Sequence, residues 1–353
     1  MKEFIIQDKY IGGDHPLFFI AEAGVNHNGS IDMGKQLIDI AVEAGADAVK
    51  FQTFRAEELN TKTAPKSTYH IETTGSDGDQ SWFDLLKTQE MSKKMHVELI
   101  DYCTDKGIIF LSTPYDQKSA DLLENFDVPA FKIASTDTSN IPLLSYIAKK
   151  GRPMILSSAM ATMEEVELAV STVRSEGLDE IAMLQCTGNY PAKLSDTNLR
   201  VIQTYKEKLN CIVGYSDHTP DLINPVAATA MGAKVYEKHF TIDCSLPGPD
   251  HRMALEGDEL KQTIKAIRDT ESALGNPLKR VLESEKENRS KLRKSIVSKL
   301  NITKDEIITM DMISFKRPGH GIQPVDLNSV IGKKALTDIP DGTVLLFEMI
   351  DDK

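Results

Sequence analysis

Two histidines, His218 and His239, each stand at the polar end of a short apolar run. Six earlier apolar runs end in the same way, with Glu, Lys, Ser, Thr or Gln following residues that favour strands. Where the ends of successive strands meet, their polar side chains form one site. Imidazole nitrogen is a common ligand of divalent metals, so this pattern predicts an active site that includes a metal.

Lys50 and Lys132 lie within apolar, strand-like sequence. Burying a lysine is costly unless it meets an anion or a carboxylate. For either lysine alone, pairing with a buried glutamate and binding an anionic ligand are equally good interpretations. Both together, within a group of Ser and Thr hydroxyls, favour a site for a small ligand that carries phosphate and carboxylate groups.

The histidines also allow two interpretations. A single histidine in this setting is more often a neutral core residue bonded to a carbonyl than a metal ligand. A pair at adjacent strand ends, near Glu22 and Glu237, favours a divalent metal with nitrogen and oxygen ligands. Such an incomplete set leaves positions for water and substrate, which favours Lewis-acid or water-activating chemistry. His15, His70 and His96 have no supporting pattern and are expected at the surface.

The elements that must position these side chains alternate along the chain. Short apolar runs are separated by amphipathic stretches with apolar residues on one face and charges on the other. This order and length are typical of a TIM (β/α)8 barrel, an α/β fold whose active site lies at the carboxyl ends of the strands. A doubly wound sheet would carry a glycine-rich dinucleotide motif after its first strand, which this sequence lacks. The predicted strands are Leu17–Ala23, Ala48–Thr53, Ile108–Pro114, Ala130–Ser135, Met154–Ser158, Ala182–Thr187, Ile212–Ser216 and Lys234–Thr241.

The sequence predicts a barrel domain over residues 1–277, a charged linker over 278–294 and a small second domain over 295–353. The second domain has short β-like runs and several Gly and Pro turns, and a core of that size is marginal alone. Residues 55–90 form a long connection with little periodicity, which is typical of a functional or flexible loop.

The composition of the chain argues against several classes of binding partner. Residues are 41% hydrophobic and 27% charged, and the net charge of −12 disfavours binding to nucleic acids or anionic membranes. No apolar stretch reaches the ~20 residues that span a bilayer, and the N-terminus lacks the apolar core of a signal peptide. Four scattered cysteines indicate neither a disulfide framework nor a thiolate zinc site. We therefore expect a cytoplasmic enzyme of small molecules, with no nucleic-acid or membrane partner.

Two further segments carry candidate side chains. The loop Leu246–Arg252 contains two prolines and a glycine, which fix its shape and would place Asp250 at the mouth of the barrel. In the small domain, the turn Phe315–Ile322 presents Arg317. Arginine binds carboxylates and hydroxyl-rich ligands well, so Arg317 is a candidate ligand-binding residue if it reaches the mouth of a barrel.

Several short motifs, in fixed order over almost the whole chain, resemble those of the sialic acid synthase family. The resemblance implies a TIM barrel followed by a small C-terminal domain of the SAF type, similar to type III antifreeze protein. It also implies a domain-swapped homodimer, in which this domain covers the partner's active site. The motifs are AEAGVNHNGS (Ala21–Ser30), VKFQT (Val49–Thr53), FLSTP (Phe110–Pro114), FKIAS (Phe131–Ser135), GYSDHT (Gly214–Thr219), EKHFT (Glu237–Thr241), PGPD (Pro247–Asp250) and KRPG (Lys316–Gly319).

The resemblance implies a phosphoenolpyruvate-dependent transferase that forms a carbon–carbon bond. It would condense phosphoenolpyruvate with N-acetylmannosamine to give N-acetylneuraminate and phosphate. His218 and His239 would hold a divalent metal, Mn2+ with Mg2+ or Co2+ as alternatives. Glu22, Asp250 and Arg317 would be catalytic, with Glu22 acting on the attacking water. The implied substrate contacts are Lys50, Gln52, Thr113, Lys132, Ser135, Asp137, Ser157, Asn189, Tyr190, Ser216 and Glu237.

Two departures from the family pattern concern the sugar. Ala134-Ser-Thr-Asp137 stands where many members have Gly-Ser-Gly-Glu, and Asp137 is the shorter acid. Gln185-Cys-Thr-Gly-Asn-Tyr-Pro191 stands where many have His-Cys-Thr-Xaa-Xaa-Tyr-Pro, which leaves Asn189 as the candidate replacement for a missing side chain. The identity of the sugar is therefore open.

Two other functions remain as alternatives. The same chemistry on a 2,4-diacetamido sugar would give legionaminic or pseudaminic acid. A non-catalytic carbohydrate- or ice-binding protein is a remote third interpretation. A protein that had lost catalysis would also have lost its strand-end lysines and histidines, which this chain retains.

Overall fold

A computed structural model describes residues 2–351, and within them eight parallel strands form a near-barrel. Hydrogen bonds join these strands in the order β5-β4-β3-β10-β9-β8-β7-β6, and the two end strands lie side by side. An antiparallel hairpin precedes them. The predicted TIM-type fold is confirmed. In chain order the strands are β1 (Glu3–Ile6) and β2 (Lys9–Gly12) in the hairpin, then β3 (Phe18–Gly24), β4 (Ala48–Thr53), β5 (Ile109–Pro114), β6 (Phe131–Ile133), β7 (Met154–Ser157), β8 (Ile181–Cys186), β9 (Ile212–Asp217) and β10 (Val235–His239).

Helices follow the barrel strands and cover their outer face. Capping residues set their ends: the first helix starts at Ser30, whose hydroxyl accepts a hydrogen bond from the Met33 amide, and stops at Gly45, whose φ is 85°. Within the described residues, no helix is both long and apolar enough to cross a membrane. The helices are α1 (Ile31–Ala44), α2 (Ala56–Leu59), α3 (Thr68–Thr74), α4 (Trp82–Gln89), α5 (Lys93–Lys106), α6 (Gln117–Asn125), α7 (Ile141–Ala148), α8 (Met163–Ser175), α9 (Val201–Lys208), α10 (Ile223–Ala230) and α11 (Gly257–Leu274).

Residues along each barrel strand alternate between the lumen and the outer helices. Outward side chains such as Phe19, Phe51 and Tyr236 are fully buried under the helices. Inward side chains at the amino ends of the strands are apolar and join the hairpin residues in a floor beneath the lumen. This floor comprises Phe4, Ile6, Ile11, Phe18, Ile20, Ala48, Ile109, Leu111, Ala130, Ile155, Ala182, Leu184, Ile212 and Val235. The lumen is therefore closed at one end by dry, apolar packing.

Residues 55–90, expected to be a long functional or flexible loop, contain the short helices α2, α3 and α4. The ring of His70 stacks on Trp82 with centroids 4.3 Å apart, which joins α3 to α4. Tyr69 on α3 lies 6.1 Å from Tyr190, measured between ring centroids. None of these helices exceeds about two turns, so each is too short to produce the periodicity by which helices are recognised in a sequence.

Among the described residues the fold divides after Gly275 into two units. The second unit contains α12 (Lys286–Leu292), within the stretch expected to be a linker, and the antiparallel strands β11 (Ser295–Ser298) and β12 (Ile313–Lys316). Many of its backbone hydrogen bonds join loops and isolated bridges. Its core consists of Ile296, Ile302, Ile308, Ile313, Ile322, Val330, Ala335, Ile339, Leu345 and Ile350.

Gly214 in β9 marks a position where neighbouring atoms leave no room for a side chain. A Cβ there would lie 2.2 Å from the Val235 carbonyl oxygen and 2.5 Å from Leu184 Cδ2. We expect Gly214→Ala to overpack the barrel and lower the free energy of unfolding by about 1–3 kcal/mol, measured by urea denaturation. Gly257→Ala is the control, because its Cβ would meet only a methyl of Ile40 at 3.3 Å. Equal stability of the two variants would contradict the prediction.

Candidate active site

The inward residues above the apolar floor are polar and enclose a small cavity at the carboxyl ends of the strands. We call eight of them the polar ring: Glu22, Lys50, Thr113, Lys132, Ser157, Cys186, Ser216 and Glu237. The cavity has a volume of about 160 Å³, below the roughly 300–1,000 Å³ of sites for drug-sized ligands. It therefore fits a small ligand, and a larger one must extend into the open mouth. The other lining residues are Gln52, Tyr115, Ala134, Ser135, Thr136, Ala159, Met160, Gly188, Tyr190, His218 and His239.

Four charged side chains of the polar ring, Glu22, Lys50, Lys132 and Glu237, form a buried charge quartet. The Lys50 ammonium lies 2.7 Å from Glu22 Oε2 and 3.7 Å from Glu237 Oε2. The Lys132 ammonium lies 3.2 Å from Glu237 Oε1. Both lysines thus pair with buried glutamates, as the first interpretation of the sequence supposed. The lysines can still bind an anionic ligand, because burial weakens the negative charge of Glu22.

Burial and neighbouring charges set the protonation of the quartet. Burial raises the pKa of Glu22 to about 7, against the opposing effect of Lys50. Burial also lowers the pKa of Lys132. For Glu237, burial is outweighed by Lys132 and Lys50, which lower the pKa of its carboxyl. At neutral pH Glu22 is therefore partly protonated, which weakens one of the two negative charges that compete with an anion for the lysines.

Hydroxyl groups surround the two ammonium groups. Lys50 donates to Thr113 Oγ1 at 2.9 Å and Lys132 donates to Ser157 Oγ at 2.7 Å. Ser216 donates to Glu237 Oε1 at 3.1 Å, and Ser135 Oγ accepts from the Ala159 amide at 2.9 Å. The structure thus brings together the lysines and the serine and threonine hydroxyls that the sequence assigned to an anionic ligand.

His218 and His239 also meet at the cavity, with ring centroids 5.5 Å apart. His218 Nδ1 lies 2.6 Å from the Thr187 carbonyl oxygen. Because a carbonyl only accepts, Nδ1 carries a proton. Burial opposes a charge on this ring, but Cys186 and the Thr187 carbonyl outweigh burial and raise the pKa of His218. Burial and the nearby His218 lower the pKa of His239 well below its usual value, so that this ring is neutral. Its buried Nδ1 has no hydrogen-bond partner.

His218, whose Nδ1 proton is held by a carbonyl, and the neutral His239, which has an unpartnered buried nitrogen, fit the requirements of metal ligands. Among residues 2–351, however, no group of three or more His, Cys, Asp or Glu side chains converges as a complete metal site. The protein thus offers a two-histidine set whose other positions would fall to water or substrate oxygens.

The mouth of the cavity carries Gln52, Tyr190 and Asp250. Gln52 donates to Glu22 Oε1 at 3.2 Å, and the Tyr190 ring lies 4.2 Å from that of His218. Asp250 Oδ2 is 4.0 Å from His239 Nδ1, and burial raises the pKa of Asp250 to about 6. A Cβ at Gly24 would lie 3.4 Å from Asp250 Oδ2, so the glycine allows the close approach of this loop.

Four candidate residues do not line the cavity. One is Asp250, which lies at the mouth beside His239. Asp137 is buried beside the cavity and accepts a hydrogen bond from Asn140 Nδ2 at 2.9 Å. Asn189 is exposed. Arg317 belongs to the second unit, where it is exposed. The turn that follows it is fixed by Ser295, whose hydroxyl donates to the Pro318 carbonyl at 2.8 Å.

Several lining residues were not among the sequence-based candidates, and all of them except Cys186 follow the strands instead of lying within them. Tyr115, directly after β5, and Thr136, in the 3-10 turn after β6, line the cavity. Met160 lines it with 75% of its surface exposed and a φ of 66°. Cys186 at the end of β8 lies 3.8 Å from His218 Nδ1. The position of Cys186 at the end of a strand could have identified it from the sequence. Loop residues such as Tyr115 have no periodic pattern by which to identify them.

The expectation that His96 lies at the surface is wrong. His96 is fully buried on the inner face of α5, where Nε2 lies 2.9 Å from Thr53 Oγ1. Its Nδ1 lies 3.0 Å from the Ser92 carbonyl, and its ring stacks on Phe126 at 5.6 Å. It is a satisfied core histidine behind the barrel wall.

Comparisons with known proteins match both units of the chain. The model of the NeuB family matches residues 37–279, and that of the SAF domain matches residues 293–351. The N,N'-diacetyllegionaminic acid synthase of Campylobacter jejuni is 41% identical, with 92% of this chain and 98% of that protein covered. The human N-acetylneuraminate-9-phosphate synthase is 37% identical, with 98% and 95% covered. The crystal structure of N-acetylneuraminic acid synthetase from Leptospira borgpetersenii in complex with citrate is 34% identical, with 81% and 95% covered and a TM-score of 0.73.

Glu237 faces both lysines and competes with any anion for them. We expect Glu237→Gln to tighten the binding of inorganic phosphate by roughly tenfold, because one nearby negative charge is removed from a low-dielectric site. Isothermal titration calorimetry measures the change, with Glu176→Gln, at a position remote from the cavity, as the control. Weaker phosphate binding by Glu237→Gln would instead mean that Glu237 mainly holds the ammonium groups in place.

Proposed function

The chain belongs to the NeuB family, and we propose that it condenses phosphoenolpyruvate with an N-acetylated amino sugar and releases phosphate. The observation that carries this proposal is the placement of Lys50 and Lys132 among hydroxyls in a small cavity that is closed below. A three-carbon ligand with a carboxylate and a phosphate fits a site of that size and charge. The names of the relatives point to the same chemistry.

The reaction balances with water as the third reactant. The C3 atom of phosphoenolpyruvate forms a bond to the aldehyde carbon of the open-chain sugar, water adds to C2, and phosphate leaves to give a 2-keto acid. Lys50 and Lys132 would neutralise the phosphate and carboxylate during this step. Glu22, whose pKa is about 7, would accept the proton of the attacking water at a carboxylate oxygen.

His218 and His239 are proposed to hold a divalent cation, with Mn2+ as the first choice. When bound, such an ion supplies Lewis-acid polarisation of the aldehyde. Support comes from the neutral state of His239 and from its buried Nδ1, which has no hydrogen-bond partner. The carbonyl of Thr187 keeps the His218 ring oriented.

Gln52, Tyr190 and Asp250 are proposed to contact the sugar at the mouth. N-acetylmannosamine, the acceptor expected from the sequence, is the first candidate. A 2,4-diacetamido sugar is the second, and the position of Asp137 favours it. Asp137 is bound to Asn140 instead of facing the cavity, which leaves neutral groups such as Tyr115 at the mouth. A neutral hydroxyl donates to an amide carbonyl, and the additional acetamido group supplies one.

Arg317 is proposed to reach this mouth from a second copy of the chain, in a domain-swapped homodimer. Arg317 is exposed and has no ion-pair partner among residues 2–351. Its guanidinium would donate to the sugar hydroxyls or to the carboxylate of phosphoenolpyruvate. The candidate catalytic set is then Glu22, Asp250 and Arg317.

The acceptor is tested by phosphate release with phosphoenolpyruvate, Mn2+ and a panel of amino sugars. The proposed function predicts turnover with N-acetylmannosamine, with a 2,4-diacetamido sugar, or with both, and mass spectrometry of the 2-keto acid identifies the product. Higher kcat/KM for the diacetamido sugar would confirm the preference inferred from Asp137. Phosphate release without any sugar dependence would contradict the condensation.

A substitution at Lys132 distinguishes the binding of phosphoenolpyruvate from the binding of the sugar. Because its ammonium lies deep in the polar ring beside Ser157, we expect Lys132→Ala to raise KM for phosphoenolpyruvate at least tenfold, with a much smaller change in KM for the sugar. Lys150→Ala, which breaks an ion pair with Asp121 between α6 and the turn after α7, is the control for general destabilisation. Equal effects on both substrates would count against the assignment.

A further inference from the structure

Asp217 and Lys238 form an ion pair on the outer side of the barrel wall, behind the two histidines. The Lys238 ammonium lies 2.8 Å from Asp217 Oδ2, and the two side chains are 2% and 0% exposed. The residues are register partners in β9 and β10. They directly precede His218 and His239, so strand alternation points the ion pair outward and the imidazoles inward.

The ion pair is fixed on all sides. Asp217 Oδ2 also accepts from Tyr236 Oη at 2.7 Å, and Oδ1 accepts from the Thr219 amide at 3.0 Å and the Thr219 hydroxyl at 2.9 Å. Asn224 Nδ2 on α10 donates to Oδ1 at 3.2 Å. The Lys238 ammonium donates to the Thr219 carbonyl as well. The residue that precedes His239 is therefore bound to both residues that flank His218.

We infer that Asp217 and Lys238 are positioning residues that set the spacing of the His218 and His239 imidazoles, and thereby the affinity of the site for a divalent cation. The inference rests on the proposed metal role of these histidines. His239 Nδ1 has no hydrogen-bond partner. The β10 backbone, held in register by Lys238, therefore has to aim that ring.

A purely structural role explains the pair less well. Removing two charges from water is costly, and well-packed apolar residues of similar size usually hold two strands at least as well. The ion pair differs from apolar packing in being directional. It fixes the separation of the strand ends through several hydrogen bonds of defined length, and partners of this kind commonly orient the ligands of metal sites.

The test measures Mn2+ binding to the full chain by isothermal titration calorimetry, without substrates. The double variant Asp217→Asn/Lys238→Met removes both charges and leaves no unpaired buried ion. We expect it to weaken Mn2+ binding roughly 10–100-fold. The matched control is Asp121→Asn/Lys150→Met, which removes an ion pair between α6 and the turn after α7 and is expected to change Mn2+ affinity less than twofold. Circular dichroism and thermal unfolding confirm that each variant is folded at the titration temperature.

Mn2+ affinity within twofold of the wild type in the folded double variant would overturn the inference and leave the proposed function intact. If the double variant does not fold, Asp217→Asn alone is titrated, and the same twofold limit decides. Asp217→Asn retains the shape and the Oδ1 acceptor of the aspartate. A wild-type chain that binds Mn2+ no better than His218→Ala/His239→Ala would remove the metal role itself, and this inference with it.

Discussion

The interior of the barrel depends on the balance of four charges in a space that water reaches from one side only. Lys50 contacts both Glu22 and Glu237, and Lys132 contacts Glu237. Below them the apolar floor excludes solvent, so each charge is stabilised by its neighbours and not by hydration. Loss of Lys50 would leave Glu22 without a lysine partner, and loss of Glu237 would leave Lys132 without a carboxylate partner.

The same balance of charges favours the binding of an anion. Burial brings the pKa of Glu22 to about 7, so this carboxylate is only partly charged. Hydroxyl groups surround both lysines. A fully ionised quartet of two lysines and two glutamates has no net charge, and both carboxylates would compete with an anion for the ammonium groups. Protonation of Glu22 removes part of that competition.

The period-two pattern of the strands made much of the site predictable. Lys50 and Lys132 lie inside strands and His218 and His239 at strand ends, and a barrel requires their inward side chains to converge. Asp137 was a candidate through the family resemblance alone, and its carboxylate binds Asn140, three residues further on. Local hydrogen bonding of this kind overrides position along the chain, and periodicity carries no signal for it. The helices of residues 55–90 were not predicted for a related reason. They are stabilised by caps and ring stacking, and not by a long apolar face that would show in the sequence.

One part of the site is built from strands and the other from loops. This division suggests how one fold can accept different sugars. The floor and the polar ring come from strands, where a change of residue disturbs both packing and charge balance. The mouth comes from loops that carry Tyr115, Thr136, Tyr190 and Asp250, and loops tolerate change while the scaffold stays rigid. Relatives of similar identity carry the names of different products. In this chain the proposed anion contacts come from strands, whereas the proposed sugar contacts at Tyr190 and Asp250 come from loops. A change of acceptor would therefore require changes in the loops, while the strand residues that carry the charges stay the same.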